Sequence, residues 1–259
     1  MARPRLDKRL GQHHLTRAGV LAPLLTFLRP QAARVVEIGP GGGILTAELL
    51  RLGASRVWAL EVDPAWGLAL RRRGAEPRLQ PVVVDGLAFP FPRLPAPTLV
   101  CGNLPYNVAT ALVAAVLPCH AAVPRAAFLL QKEVAERLAA APGSRAYGSL
   151  SVLATAYAEV RILGRVRPGA FRPPPKVESA FVGFTLRPPP LPEPLMPELL
   201  ALVRQGFAHK RKTLRNALGA ALGRQRTEDL LAAAGVAQRA RAEELGLGEW
   251  LRLFAASRP

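Results

Sequence analysis

Cysteine is nearly missing from this sequence: Cys101 and Cys119 are the only two in 259 residues, both in apolar surroundings and without CxxC spacing. Neither a disulfide framework nor a thiolate metal site is expected, and a reducing, cytoplasmic setting is. No apolar run reaches membrane-spanning length, and the basic start MARPR runs into charged residues instead of an apolar signal core. Neither a membrane span nor export is therefore expected. Acidic residues are scarce, 18 against 35 Lys and Arg, which leaves a formal charge of +17. That imbalance exceeds what solubility requires and points to a polyanionic partner, nucleic acid ahead of membrane. Lysine stands only at 8, 132, 176, 210 and 212, so the positive charge is mostly guanidinium, which suits phosphate forks and base stacking. Internal repeats are absent.

What is present is ample apolar material, 50% of residues, enough for one large domain and one small one. From residue 34 to about 187, short apolar runs alternate with helical patterns, the rhythm of an open parallel sheet. RVVEIG (34–39), RVWALEVD (56–63), LQPVVVD (79–85), TLVCGN (98–103) and RAAFLLQ (125–131) read as five parallel strands. SVLATAYAEVRILGRV and KVESAFVGFTLRP are expected to form a late antiparallel pair at one edge. Between them the prolines of GAFRPPPKV are expected to forbid regular structure. A second proline cluster, RPPPLPEPLMP, reads as an extended spacer that divides residues 1–188 from a helical tail, 189–259.

The run VVEIGPGGG places Gly39, Gly41, Gly42 and Gly43 between a strand and a helix, where backbone amides without neighbouring Cβ atoms can approach a ligand. A dinucleotide fingerprint would need glycine at position 44, which is Ile44, and a P-loop would need a Lys-Ser/Thr pair that is absent. Glu37 precedes the loop, Glu61 ends the second strand and Asp85 ends the third. A carboxylate at the second strand's end suits ribose hydroxyls, and one at the third lies within reach of an adenine amine. Each acid alone could equally be a helix cap or a solvated turn residue. In register, the three acids fit S-adenosylmethionine, which is cationic and carries no phosphate.

GNLPYN follows the fourth strand. An isolated Asn-turn, stiffened by Pro105 and with Tyr106 packed inward, is one reading. The chemistry of an exocyclic adenine amine favours another. Its lone pair is delocalised into the ring, so an enzyme must hold the nitrogen in line with a sulfonium methyl and accept its hydrogens. The Asn103 side-chain oxygen and the Leu104 carbonyl can supply two acceptors, Pro105 fixes their angle, and the Tyr106 ring can stack on an extruded base.

These segments resemble the KsgA-type (RsmA) ribosomal RNA adenine N6,N6-dimethyltransferases, relatives of the Erm methylases. KRLGQHHL (8–15), EIGPGGGILTAEL, LEVD, GNLPYN, LLQKEVAERL, SRAYGSLSV, AFRPPPKVESA and HKRKTLRNAL match that family in order over nearly the whole chain. The resemblance implies a Rossmann-like class I methyltransferase sheet, mostly parallel with an antiparallel edge, and a small all-α C-terminal domain that binds RNA. It implies S-adenosylmethionine as cofactor, no metal, and cofactor contacts from Gln12, Gly39, Gly41, Glu61, Val62, Asp85, Gly86 and Asn103, with His14 and Leu15 nearby. It also implies that Asn103, Leu104, Pro105 and Tyr106 handle the adenine while Phe171 stacks from the opposite side. One departure is His14, where the family's GQxFL pattern carries Phe.

Between Leu199 and Thr227 the tail has seven cations, Arg204, Lys210, Arg211, Lys212, Arg215, Arg224 and Arg226, and no acid. Phosphate contact is the economical account, with Lys210, Arg211, Lys212 and Arg215 as its centre. The resulting expectation is a monomeric enzyme that dimethylates two adjacent adenines in the hairpin near the 3′ end of small-subunit rRNA, on free rRNA or the immature 30S subunit. Its rivals are an Erm-like methylase of large-subunit rRNA and a non-catalytic small-subunit assembly factor.

Overall fold

The computed structural model of the protein describes residues 4, 12–72, 76–209 and 212–258. It divides into two compact units, Met1–Ala135 with Ala158–Pro188, and Glu136–Tyr157 with Pro189–Pro259.

Among the described residues the first elements of this unit are a two-residue strand, β1 (His14–Leu15), and a short helix, α1 (Ala22–Leu28). Two strand–helix repeats follow, β2 (Arg34–Ile38) with α2 (Ile44–Arg51) and β3 (Arg56–Glu61) with α3 (Pro64–Arg71), and then the strand β4 (Leu79–Val83). Next come β5 (Thr98–Asn103), α4 (Ala109–Val116), β6 (Arg125–Gln131) and α5 (Lys132–Leu138). After α6 (Ser149–Tyr157) the chain forms β7 (Ala158–Val166), β8 (Phe171–Arg172) and β9 (Ser179–Leu186).

Among the described residues the main sheet runs β4-β3-β2-β5-β6-β9-β7. The first five strands are parallel; β9 is antiparallel to both β6 and β7. The β-branched and small side chains of the central strands account for this arrangement: Val35, Val36, Val100, Ala126 and Ala127 are fully buried, as strands covered on both faces require. Pro81 sits in β4, an edge strand, where a missing N–H costs no ladder bond on the outer side. Chain order reverses between β2 and β5, so their carboxyl ends diverge and open a crevice, the usual ligand position in open α/β sheets. Gly102 lets them pack closely, because a Cβ there would overlap the Ile38 carbonyl oxygen.

Three differences from the sequence reading have physical reasons. SVLATAY is the helix α6, not the start of a strand, because its alanines and leucines favour helix and only Val152 and Thr155 are β-branched; the strand begins at Ala158. Phe171 and Arg172 form β8 despite the following prolines, and pair antiparallel with β1 in the register His14↔Arg172 and Leu15↔Phe171. Both still possess N–H groups, and the residue before a proline is biased toward extended backbone. Helix α1, absent from the reading, begins with Pro23 in its first turn and supplies Leu24 and Leu28 to the core.

The second unit is helical: α6, then α7 (Met196–Phe207), α8 (Leu214–Leu222), α9 (Arg224–Ala233) and α10 (Leu247–Ser257). Its core is built from Met196, Leu199, Val203, Leu214, Leu218, Leu231, Trp250 and Leu253, all fully buried. A Cβ at Gly206 would meet the Trp250 ring at 2.5 Å, so glycine permits α7 and α10 to touch. The linear reading groups residues 136–157 with the sheet; in the fold they pack with the tail helices, where the Tyr147 hydroxyl donates to the Leu245 carbonyl at 2.8 Å and its ring meets Phe207. Within the described residues, no helix is long and apolar enough to cross a membrane.

Candidate active site

The crevice at the carboxyl ends of β2, β3, β4 and β5 is a cavity of about 180 Å³. The glycine loop that forms one wall needs its glycines: Gly39, Gly41 and Gly43 have φ of 68°, 46° and 74°, a region costly for residues with a Cβ. Gly39 N–H donates to the Leu60 carbonyl at 2.9 Å, and Gly41 N–H donates to Glu61 Oε2 at 2.9 Å. A Cβ on Gly41 would meet His14 Nε2 at 2.7 Å, so the His14 ring lies directly over the loop, and it also meets Trp66 edge-on at 4.5 Å.

Glu61 is 4% exposed, and its other oxygen accepts the Asp63 N–H at 3.1 Å. Burial pushes its carboxyl above the ordinary range, while the backbone donors pull the other way. Each oxygen keeps a further lone pair for a ligand hydroxyl. Asp63 caps α3 through the Ala65 N–H and receives the Gln12 side-chain amide at 3.4 Å, which tethers Gln12 at the rim. Asp85 Oδ1 caps the turn Gly86–Ala88 by accepting the Leu87 N–H at 2.9 Å, so half of this carboxylate is structural. Val62, 44% exposed, offers an apolar face on the same wall.

Glu37 does not belong to this set. It is 1% exposed, accepts the Thr46 hydroxyl at 2.6 Å, and borders a separate cavity of about 30 Å³ beneath the loop. Burial pushes its carboxyl up to about 7. It braces the loop from below because side chains alternate along β2, and position 37 faces α2 while the loop begins two residues later.

The GNLPYN segment leaves β5 at the far wall. The Asn103 amide donates through Nδ2 to the His13 carbonyl at 2.7 Å, which leaves Oδ1 as the side chain's acceptor. Leu104 is buried and its N–H is spent on the Leu129 carbonyl at 3.2 Å, so its own carbonyl is the group left for the cavity. The Pro105 carbonyl accepts the Val108 N–H, closing the turn. Tyr106 is half-buried, its hydroxyl 2.7 Å from Ser179 Oγ, and burial raises its phenol above the usual value.

Of the residues expected from sequence, Gln12, His14, Gly39, Gly41, Glu61, Val62, Asp85, Gly86, Asn103, Leu104, Pro105 and Tyr106 all line this one cavity. Leu15 and Phe171 do not. They are partners in the β1–β8 ladder, and strand alternation turns both into the hydrophobic core, at 9% and 4% exposure. The ring that faces Tyr106 is instead His13, stacked at 5.5 Å with 28° between planes, its Nδ1 donating to the Pro173 carbonyl at 2.8 Å. The sequence reading passed over His13, although it lies between two residues singled out in GQHHL; Ser179 carried no local signal at all. In the tail, Lys210 and Arg211 lie outside the described residues, and Lys212 is exposed. Arg215 and Arg224 both reach Glu228, at 3.5 and 3.0 Å. The acid-free stretch is thus partly compensated by a carboxylate one residue past its end.

Among the described residues, no Lys or Arg lines the cavity, although the chain holds 35 of them, whereas Glu61 and Asp85 do. Those described residues offer a phosphate-bearing ligand no counter-charge. A sulfonium cation with ribose hydroxyls and an adenine fits the acidic and apolar groups present, so the donor set suits S-adenosylmethionine.

Comparison with known proteins agrees. The chain is 44% identical over 256 residues to the ribosomal RNA small subunit methyltransferase A of Synechococcus sp. (strain JA-3-3Ab), covering 95% of this chain and 91% of that one. It is 42% identical to the protein of the same name from Hahella chejuensis (strain KCTC 2396), covering 95% and 90%. The fold is shared with a dimethyladenosine transferase from Plasmodium falciparum, TM-score 0.77 at 23% identity over 93% of this chain and 96% of that one. It is also shared with the 23S rRNA methyltransferase ErmE, TM-score 0.70 at 27% identity over 93% and 98%. The family model described as ribosomal RNA adenine dimethylase matches residues 4–258, and this protein belongs to that family of S-adenosylmethionine-dependent enzymes.

Proposed function

We propose that the protein methylates N6 of two adjacent adenines in the 3′-terminal hairpin loop of small-subunit rRNA, giving N6,N6-dimethyladenosines. It acts as a cytoplasmic monomer during assembly of the 30S subunit. The observation that carries the chemistry is the cavity itself: among the described residues, acids and apolar groups without a cation on one wall, and the Asn103–Tyr106 turn on the other. The relatives' names support the choice of small-subunit rRNA.

The bound cofactor supplies an electrophilic methyl group. The chain's part is to place the amine. Asn103 Oδ1, fixed by the Nδ2 bond to His13, and the Leu104 carbonyl accept the two N–H groups of the adenine, which turns the nitrogen lone pair toward the methyl. As the nitrogen gives up that pair and becomes positive, both acceptors strengthen, so they stabilise the transition state more than the ground state. Tyr106, held by Ser179, offers its ring to the extruded base and offsets part of the unstacking cost. In this reading Lys210, Arg211, Lys212 and Arg215 contact rRNA phosphates from the 189–259 domain.

The likeness to ErmE favours one alternative, methylation of large-subunit rRNA. Incubation with labelled cofactor and small subunits that lack the modification, followed by mapping of labelled nucleotides, separates the two. Label on paired adenines of the 3′ hairpin is the expected result; label confined to large-subunit rRNA would overturn the assignment.

A further inference from the structure

The sheet unit has another concavity, of about 680 Å³, that the adenine chemistry does not use. Arg17, Arg165 and Arg167 rim it, all three exposed, over an apolar floor of Pro23, Val166 and Phe181. No carboxylate lines it among the described residues. Glu178 is engaged by Lys132 at 2.9 Å, and Lys132, then Arg165 and Arg167, hold its carboxyl below the ordinary range.

Three cations gathered from separate segments suggest more than an edge guard. β7 is an edge strand, and charge on an edge commonly blocks pairing with other chains. That accounts for Arg165. It does not account for Arg167, which lies past the strand's end, or for Arg17, which comes from the chain after β1.

The groove is also joined to the active site by a continuous ladder. Thr16 donates through both its N–H and its hydroxyl to the Ala170 carbonyl, Leu15 pairs with Phe171, and His14 with Arg172. One residue earlier, His13 holds Asn103 and faces Tyr106. Arg17 lies four residue steps of extended chain beyond His13, a reach of about 13 Å.

We infer that this groove holds the sugar-phosphate backbone of the rRNA strand flanking the target adenines. The inference rests on the RNA-methylating function proposed above and adds a contact surface on the sheet unit to the one expected in the tail. Phosphates sit on the three guanidinium groups, sugars lie on the apolar floor, and the flipped base is presented one ladder away. Such contacts position the strand without reading its sequence.

The test compares the parent with a triple Gln variant (R17Q, R165Q, R167Q) and a triple Lys variant (R17K, R165K, R167K). The probes are transcribed small-subunit rRNA and small subunits lacking the modification. Binding is measured against salt, methyl transfer is resolved into kcat and KM, and cofactor affinity is taken by calorimetry. For the Gln variant the slope of log affinity against log salt should flatten by about 2 to 3, and KM for RNA should rise by about tenfold or more. Its cofactor affinity should stay within about twofold of the parent, and the Lys variant should recover most of the slope. A parent-like slope and KM in the Gln variant would overturn the inference. So would a loss that Lys does not restore, which would mark a structural role. A defect seen only on assembled subunits, with naked rRNA handled normally, would overturn it in favour of a ribosomal protein partner. If the parent labels no small-subunit adenine yet the Gln variant flattens the slope, the target assignment fails while the groove stands.

Discussion

Replacing Asn103 by Ala separates the two tasks assigned to this side chain. The structural task is the Nδ2 bond to the His13 carbonyl, 2.7 Å long and half-buried. Its net worth is about 0.5 to 1.5 kcal/mol, which in a chain of this size lowers Tm by a few degrees, roughly 2 to 4 °C per kcal/mol. The catalytic task is the Oδ1 acceptor, which strengthens only as charge develops on the amine. Deleting one preorganised partner of a developing charge costs about 2.7 to 4 kcal/mol, or 10²- to 10³-fold in kcat. Single-turnover methyl transfer at saturating cofactor should therefore fall by at least about a hundredfold, while RNA affinity and its salt slope stay near the parent's. Asn103→Asp keeps an acceptor but sets a carboxylate against the His13 carbonyl, so it should fall between the two. A variant Asn103→Ala that retains a kcat within about threefold of the parent would refute the acceptor argument.

Gly41→Ala should weaken cofactor binding by about tenfold or more in calorimetry, since the left-handed backbone costs about 1 to 2 kcal/mol and the new methyl displaces the His14 ring. Tyr106→Ala should raise KM for RNA by an amount matching about 1 to 3 kcal/mol of lost stacking, whereas Tyr106→Phe, which loses only the Ser179 bond, should stay near the parent in steady-state assays. The buried Glu37 gives a pH signature. Its folded carboxyl lies at about 7, above the ordinary 4.5, so the native state binds more protons than the unfolded chain between those values. Stability from this group is present below the lower value and is lost as pH rises to about 7, an effect of order 3 kcal/mol. Glu37→Gln, which still accepts from Thr46, should flatten the dependence of Tm on pH from about 5 to 8 and raise Tm above 7; an unchanged profile would show that Glu37 does not titrate there.

The sequence alone determined whatever is encoded in contiguous residues. Apolar runs of strand length at regular spacing gave five parallel strands, glycines crowded behind the first of them gave the ligand loop, and GNLPYN gave the acceptor turn. These features are local, because φ/ψ preference and side-chain alternation act over a few residues. Tertiary structure decided what depends on closing long loops. His13 reaches Asn103 across 90 residues and Pro173 across 160, and Ser179 meets Tyr106 across 73. It turned Phe171 into the core through a ladder formed by two-residue strands, each too short to carry a pattern of its own. It set Glu228 against two arginines of a stretch that looks uncompensated when read in line. It also drew Arg17, Arg165 and Arg167 to one groove from positions some 150 residues apart. In each case the energy of the contact is short-ranged while the chain between the partners is long, and nothing in the residues flanking either partner records which distant segment packing will bring to it.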